Sequence, residues 1–244
     1  YYTKFKKNFK PGPFGWLREF GSYHISLLKN NTGKDKAIVI QPFGRGVVNT
    51  DGYIFDPTSR SFNVTDISAI INDLKKDYTV VIMSEFQFDT GESKHMHAIP
   101  QVPDIRLWAG IIQCADHFLG CDSVGQHIAR AMDTTSTVVT GSTFPINITY
   151  PNEKSFDVFD MGEGIRTYSP LRMTGEDMQD MENDECMTMT KDDVKKIIDS
   201  CRKRLGKPTT RKIVKDKEWE EKESCCDDPY CPTSTVKTPR GFKQ

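Results

Sequence analysis

The sequence predicts an α/β fold, a doubly wound parallel sheet, and three observations lead to it. Short, continuous apolar runs such as Ala37–Gln41 and Tyr78–Met83 are typical of strands buried on both faces. These runs alternate with helical patterns, which is the signature of a parallel sheet with crossover helices. Polar residues follow the ends of the runs. Because right-handed crossovers bring all carboxyl ends of the strands to one edge, these polar residues should meet where such sheets bind ligands.

The individual elements follow from the same patterns. Isoleucines and a leucine at helical spacing predict a helix that begins at a Thr65 cap, and a second clear helix begins at a Thr190 cap. The order is strand 37–41, loop 42–63, first capped helix, strand 78–83, short strand 99–103, helix 105–114, strand 118–120, helix continuing over 128–132, strand 136–139 and the Thr190 helix. Residues 147–183 are polar and predicted to be weakly structured.

The chain divides into three parts on this pattern. Residues 1–36 are predicted to be an N-terminal linker or arm, 37–206 a Rossmann-like domain, and 207–244 a charged C-terminal tail. Both extensions are expected to be irregular. The basic, aromatic N-terminal part fits either an arm on nucleic acid or a connector packed on a neighbouring domain. Within it, the sequence is consistent with either a short helix over 16–20 or a strand over 23–28.

Composition limits the function classes. The 244 residues carry a net charge of −1, so no overall field favours nucleic acid, and binding to nucleic acid is not expected. No apolar run approaches the roughly 18 residues of a membrane span. The seven cysteines, four of them in core-like segments, favour reduced thiols and a cytoplasmic location. The chain begins with Tyr1 rather than Met, so we expect a processed chain or a fragment.

The turn after strand 118–120 is the main candidate site. Asp122, Ser123, Gly125 and His127 lie where a strand's carboxyl end meets the start of a helix. Backbone N–H groups at a helix start, together with a serine hydroxyl, suit a diphosphate. The alternative is a plain strand-to-helix junction in which Asp122 is a cap and His127 is a satisfied core histidine.

Two further residues are placed on the same edge of the sheet. Arg60 could complete a phosphate clamp, and Glu85 could accept hydrogen bonds from a ribose or a base. Their alternatives are a solvated loop arginine and a surface acid.

Metal ligation is weakly indicated. His95, His97 and Glu92 have no third histidine near them, and Cys225, Cys226 and Cys231 lack the spaced C-x-x-C pairs that zinc sites use. We therefore predict no metal. The sequence also lacks the G-x-S-x-G, H-E-x-x-H, P-loop and G-x-G-x-x-G motifs, which removes the commonest hydrolase, metalloprotease, P-loop and dinucleotide-binding interpretations.

A family resemblance emerges from three motifs in order. The run from Asp122 to Ala131 (DSVGQHIARA), followed by TVVTGSTFP, resembles D-[ST]-G-x-x-H-x-A-x-A and the Gly-Pro loop of the lipopolysaccharide heptosyltransferases, glycosyltransferase family nine. It departs at Val124, where the family has glycine. Arg60-Ser61-Phe62 stands in the place of the family's K-x-W. The run from Cys186 to Val194 resembles the family's closing segment C-[MI]-x-x-I-[ST]-x-x-x-V.

The resemblance covers residues from about 37 to 205 and implies the C-terminal, donor-binding half of a GT-B glycosyltransferase. It implies transfer of a hexosyl or heptosyl group from a nucleotide diphosphate sugar, bound as substrate, with no cofactor and no metal. The residues it assigns to the donor are Arg60, Glu85, Asp122, Ser123, Val124, Gly125 and His127.

The same resemblance implies a missing half. Only 36 residues precede the first predicted strand, too few for the acceptor-binding domain that supplies the catalytic base in GT-B enzymes. We expect that domain in the same longer chain or on a separate subunit, and the catalytic residues are unknown. Two alternatives stay open: a catalytically inactive GT-B-like binding or structural module within a larger assembly, and one half of a GT-B-like sugar-nucleotide epimerase.

Overall fold

The structure is a computed structural model that describes residues 15–90, 104–166 and 185–211, and the backbone of 96–98. The strands are β1 (Ala37–Gln41), β2 (Val48–Thr50), β3 (Tyr53–Phe55), β4 (Thr79–Ile82), β5 (Met96–Ala98), β6 (His117–Gly120), β7 (Ser136–Thr140) and β8 (Phe156–Asp160). The helices are α1 (Gly15–Thr32), α2 (Val64–Leu74), α3 (Ile105–Cys114), α4 (Val124–Ala131), α5 (Pro145–Ile148) and α6 (Lys191–Leu205).

Six parallel strands form the central sheet in the order β5-β4-β1-β6-β7-β8. Strand β1 lies in the middle, with Val39 opposite Val81 of β4 and Phe118 of β6. From β1 the chain first builds outward to β4 and β5, and it then returns to build β6, β7 and β8 on the other side. The strand order therefore reverses between β1 and β6, where sheets of this kind have their binding crevice. The predicted doubly wound α/β fold is confirmed.

Helices cover both faces of the sheet. On one face, α2 and α6 bury isoleucines such as Ile67 and Ile197 against the strands. On the other face, α1 and α3 bury Ile25 and Ile111. Because the strands are covered on both sides, they read in the sequence as continuous apolar runs rather than alternating ones.

Helix α1 corrects one of the open alternatives for the N-terminal part. A strand over 23–28 is wrong, and the predicted short helix is correct in type but extends from residue 15 to residue 32. Its close packing on α3 depends on two glycines. A Cβ added to Gly21 would lie 1.9 Å from the carbonyl oxygen of Gly110. Because neither glycine has a side chain, the backbones of α1 and α3 contact each other directly at this crossing. Ile25 and Leu28 of α1 are buried.

Several boundaries differ from the predictions for identifiable reasons. Helix α2 begins earlier than predicted, because Asn63 rather than Thr65 is its cap and accepts a hydrogen bond from Asp66 N. The region predicted to be weakly structured contains β8, an edge strand with only one fully buried residue. The predicted strand over 99–103 lies outside the described residues, although β5 lies just before it. Helix α6 begins as predicted, with Thr190 and Asp193 in a capping box.

Across the described ranges, none of the helices combines the length and apolar character that crossing a membrane requires. The tail from residue 212 onward lies outside those ranges.

Candidate functional site

An open cavity of about 1170 Å³ lies at the carboxyl edge of the sheet, over the crevice between β1 and β6. Its walls come from the loops after β1, β4 and β6 and from the starts of α3 and α4. Six of the seven residues predicted to bind the donor line it: Arg60, Glu85, Asp122, Ser123, Val124 and His127.

An ion pair connects two of these residues. Arg60 Nε donates to Asp122 Oδ2 at 2.7 Å, and the Asp122 side chain is fully buried while that of Arg60 is 33% exposed. Burial acts to lower the pKa of Arg60, but the hydrogen bond and the charge of Asp122 outweigh it, and the net pKa is raised. Arg60 is therefore a permanent cation that lines the cavity, and its Nη2 also donates to Asp122 O at 3.4 Å. Asp122 Oδ1 has no hydrogen-bond partner among the described residues.

The loop that carries Arg60 is fixed by its own hydrogen bonds. Asp56 Oδ1 accepts from the backbone N–H of Thr58 at 2.8 Å, and Ser61 Oγ donates to Asp56 Oδ2 at 2.5 Å. The loop after β7 fastens it from the other side, because Ser142 N donates to Ser59 O at 3.0 Å. These contacts order the loop, so the position of Arg60 does not depend on its pairing with Asp122 alone.

At the start of α4, Ser123 and Gly125 are held by a glutamine from β1. Gln41 Nε2 donates to Ser123 Oγ at 3.0 Å, and Gln41 Oε1 accepts from Gly125 N at 2.8 Å. Gly125 does not line the cavity. A Cβ at this position would lie 2.3 Å from Gln41 Oε1 and 2.6 Å from the Phe118 ring. The absence of a side chain at Gly125 thus serves packing against β1 and β6, and the predicted contact with a donor has no support in the geometry.

His127 faces the cavity from the first turns of α4. Its Nδ1 lies 2.9 Å from the hydroxyl of Tyr150, which fixes the plane of the ring. Burial lowers the pKa of His127, and the charge of Asp122 acts in the opposite direction without reversing the shift. The imidazole is therefore neutral at neutral pH, a state in which it can both donate and accept a hydrogen bond.

The opposite wall of the cavity combines an acid with aromatic rings. Glu85, in the loop after β4, is exposed and lines the cavity beside Phe86. Phe43 is buried, and its ring packs against Phe86 and Phe88 with centroids 6.3 Å and 5.2 Å away. This wall offers an apolar surface and a carboxylate acceptor, whereas the wall formed by Arg60 and Ser123 offers a cation and a hydroxyl.

The chemistry that the site can perform is electrostatic and hydrogen-bonding. Cys121 is fully buried, and burial together with the charge of Asp122 raises the pKa of its thiol, so it is not a nucleophile at neutral pH. No group of three or more His, Cys, Asp or Glu side chains in the described part of the chain is arranged to hold a metal ion. The weak metal candidates around His95 and Cys225 lie outside the described side chains.

The described sheet is Rossmann-like, and a solved heptosyltransferase structure has a similar fold. Among solved structures, ADP-heptose lipopolysaccharide heptosyltransferase II of E. coli matches 78% of this chain and 51% of its own at 12% identity, with a TM-score of 0.51. The iron-containing dodecameric glycosyltransferase TibC of enterotoxigenic E. coli matches 70% and 46% at 14% identity, with a TM-score of 0.49.

These comparisons confirm the predicted resemblance to heptosyltransferases at the level of the fold. The chain spans about half the length of the solved structures that it matches. No model of a known protein family matches the sequence, and no curated protein sequence does.

Two residues that hydrogen-bond to the candidate site residues were missed by the sequence analysis. Gln41 reads as the last residue of a buried strand, and Tyr150 lies in a segment without periodic pattern. A signal existed for the first: an amide at the carboxyl end of an otherwise apolar central strand. For Tyr150 no sequence signal existed, because its contact with His127 bridges 23 residues of irregular spacing.

Proposed function

We propose that this chain is the donor-binding part of a glycosyltransferase that transfers a sugar from a nucleotide diphosphate donor. One observation carries the proposal: Arg60, Ser123 and the start of α4 converge on one cavity at the switch point of a heptosyltransferase-like sheet. A cation, a hydroxyl and a helix N-terminus together are suited to a diphosphate.

Each residue has a role in this proposal. The Arg60 guanidinium binds the diphosphate and offsets the charge that develops on it as the sugar departs, which is electrostatic stabilisation of a leaving group. The Ser123 hydroxyl donates to a phosphate oxygen. Glu85 accepts hydrogen bonds from the ribose hydroxyls, and the adjacent Phe86 provides an apolar surface for the base. His127 contacts the transferred sugar from the first turns of α4.

The acceptor site belongs to a second domain in this proposal. The heptosyltransferase of similar fold is about twice as long as the matched region, so an acceptor-binding domain in the same longer chain or on a separate subunit would close the cavity. We propose a cytoplasmic location, because a nucleotide sugar is supplied there and Cys121 and Cys201 are buried free thiols.

Calorimetric titration with nucleoside diphosphates and nucleotide sugars tests donor binding. We expect at least one nucleoside diphosphate to bind. Ser123→Ala should weaken that binding by about tenfold, because one hydrogen bond to a charged group contributes about 1.5 kcal/mol or more. Arg60→Lys should weaken it further, since lysine keeps a charge beside Asp122 but loses the planar fork.

Matched variants outside the cavity serve as controls. Ser155→Ala makes the same change before β8, and Arg204→Lys alters a second Arg–Asp pair, with Asp157. Both should bind the donor as the unmodified protein does. The donor-site assignment is wrong if no nucleotide binds, or if the cavity variants bind as tightly as the controls.

A catalytically inactive binding module is the second candidate. The observation that favours it is Val124, which borders the cavity at a position where the heptosyltransferase motif has glycine. Donor binding without sugar release, in the presence of the neighbouring domain from the full reading frame, would favour this candidate over the enzyme.

A further inference from the structure

Ser123 occupies the N-cap position of α4 but does not cap it. A serine at this position normally accepts a hydrogen bond from a backbone N–H two or three residues later, which stabilises the first turn. Ser123 has extended backbone angles, φ −152° and ψ −178°, as a cap should, yet its side chain makes no capping hydrogen bond. The hydroxyl of Ser123 is therefore available for hydrogen bonds other than capping, and Ser123 lines the cavity.

Gln41 caps the helix in its place. Its side-chain oxygen accepts from Gly125 N, at 2.8 Å, and its NH₂ group donates to Ser123 Oγ and, at 3.3 Å, to Phe43 O. Gln41 is only 6% exposed, and it comes from the central strand β1 rather than from the helix.

The direction of these hydrogen bonds is fixed by chemistry. A backbone N–H can only donate, so the group of Gln41 that faces Gly125 must be the carbonyl oxygen, and the NH₂ group must face Ser123. Ser123 Oγ therefore accepts from Gln41, and its own proton has to be donated elsewhere. No acceptor for that proton is found among the described residues, and the side chain borders the cavity.

We propose that Gln41 is a positioning residue that makes the Ser123 hydroxyl a hydrogen-bond donor toward an anionic oxygen in the cavity. This inference rests on the proposed function and adds to it the direction of one hydrogen bond. Ser123 donates to the diphosphate and does not accept a hydrogen bond from a ligand. It also explains Gly125, because only a residue without Cβ leaves space for the Gln41 side chain.

Gln41→Glu tests the direction of the hydrogen bond. The introduced carboxylate has the shape of the amide but can only accept, so Ser123 must donate to it and turn its proton away from the cavity. We expect pyrophosphate and nucleoside diphosphate binding to weaken at least tenfold at about pH 8. Burial at this position raises the pKa of the introduced carboxyl, so on acidification to about pH 5 it gains a proton that it can donate to Ser123. The ratio of the variant's dissociation constant to that of the unmodified protein should then fall toward one.

Three comparison variants separate this role from a structural one. Gln41→Met removes both polar groups and should weaken binding without recovery at low pH. Gln113→Glu makes the same substitution on the exposed face of α3 and should leave binding unchanged. Adding Ser123→Ala to Gln41→Glu should cause little further loss, because the serine proton no longer reaches the ligand. Circular dichroism and urea unfolding of each variant identify any loss of folding.

The outcomes distinguish this inference from the proposed function. If the unmodified protein binds pyrophosphate but no nucleotide, the sugar-nucleotide proposal fails while the role of Gln41 is still measured on pyrophosphate. If Gln41→Glu binds as tightly as the unmodified protein, or its deficit does not change with pH, the inference is overturned. If neither pyrophosphate nor any nucleotide binds to the unmodified protein, both proposals are wrong.

Discussion

Two aspartates flank strand β6, and their surroundings differ. Asp116 precedes the strand and is fully satisfied: Oδ2 accepts from Lys29 Nζ at 2.7 Å and from Ala37 N at 2.9 Å, and Oδ1 accepts from Lys36 Nζ at 3.3 Å. Asp122 follows the strand, is more deeply buried, and has one paired oxygen and one without a partner in the described ranges. The amino edge of the sheet joins elements to one another, whereas the carboxyl edge keeps polar groups available.

This difference separates a structural acid from a candidate functional one without reference to any relative. An ion pair of 2.7 Å is common to both residues, although Asp116 is only partly buried. What distinguishes Asp122 is that one of its carboxylate oxygens has no hydrogen-bond partner among the described residues and lies beside a cavity. A buried oxygen without a partner costs free energy, and a ligand that supplies the missing partner recovers that cost.

The largest expected effect concerns the partners of these two acids. Arg60→Met should lower the free energy of unfolding by about 3 kcal/mol, because Asp122 stays buried with its charge uncompensated. Lys29→Met should lower it by at most about 1 kcal/mol, since Asp116 keeps Lys36 and the backbone N–H of Ala37.

Urea unfolding of both variants measures this contrast. The double variant Arg60→Met with Asp122→Asn should recover much of the lost stability, because the buried charge is then gone. Equal losses for Arg60→Met and Lys29→Met would contradict the distinction between the two edges.

A pH effect is expected from His117, the buried first residue of this strand. Burial lowers the pKa of His117 to about 3, whereas a histidine in the unfolded chain has a pKa of about 6.5. Between these values only the unfolded chain takes up a proton, so the free energy of unfolding should fall by up to about 1.4 kcal/mol per pH unit below about pH 6.5.

Unfolding curves between about pH 7.5 and about pH 5.5 measure this decline, above the range in which most carboxyl groups titrate. In His117→Gln the decline should be largely removed. His127→Gln should remove less, because His127 is only half-buried. An unchanged decline in His117→Gln would show that another group is responsible.

A smaller effect is expected from the tyrosine that orients His127. Tyr150→Phe removes the hydrogen bond to His127 Nδ1 and should cost about 1 kcal/mol of stability. It should also weaken nucleoside diphosphate binding several-fold, which calorimetry measures. The control is Tyr78→Phe, which loses a comparable hydrogen bond to Gly206 O outside the cavity. Similar binding by both variants would exclude a role for Tyr150 in the site.

The smallest effect concerns the position at which the sequence departs from the heptosyltransferase motif. Val124 is 40% exposed and borders the cavity at the first residue of α4. Val124→Gly should let a phosphate approach the backbone more closely and tighten binding by a few-fold, at a cost of under about 1 kcal/mol in helix stability. Ala131→Gly, at the other end of α4, controls for helix propensity. Weaker binding by Val124→Gly would indicate that the valine itself contacts the ligand.

The parts of the fold that the sequence predicted are those in which one local pattern dominates. Helix α3 has the predicted bounds, and α6 has its predicted cap, because apolar spacing and capping chemistry agree there. Strand β8 was missed because it is an edge strand, and its half-exposed positions are occupied by acids such as Asp157. Its place in the sheet is determined by pairing with β7 and by Arg204 from α6, neither of which is local.

The hairpin of β2 and β3 is a different case, since its signal was present and not used. Asp51 and Gly52 both have positive φ, 51° and 87°, as a two-residue hairpin turn of type I′ requires. The Asp-Gly pair between Val48 and Phe55 is a known signal for such a turn. In the candidate site, the sequence identified several of the polar residues that line the cavity. It did not identify Gln41, which holds Ser123 and Gly125 from strand β1.

The position of β1 in the sheet also determines the order in which strands can pair while the chain is being synthesised. Strand β1 pairs with β4 on one side and with β6 on the other. A chain synthesised as far as β5 can form the first pairing, but one edge of β1, with its apolar faces, stays open until β6 is added. The crevice next to Gln41 is therefore assembled late. A nascent chain that halts before β6 exposes an aggregation-prone edge and has no ligand site through which a nucleotide could protect it.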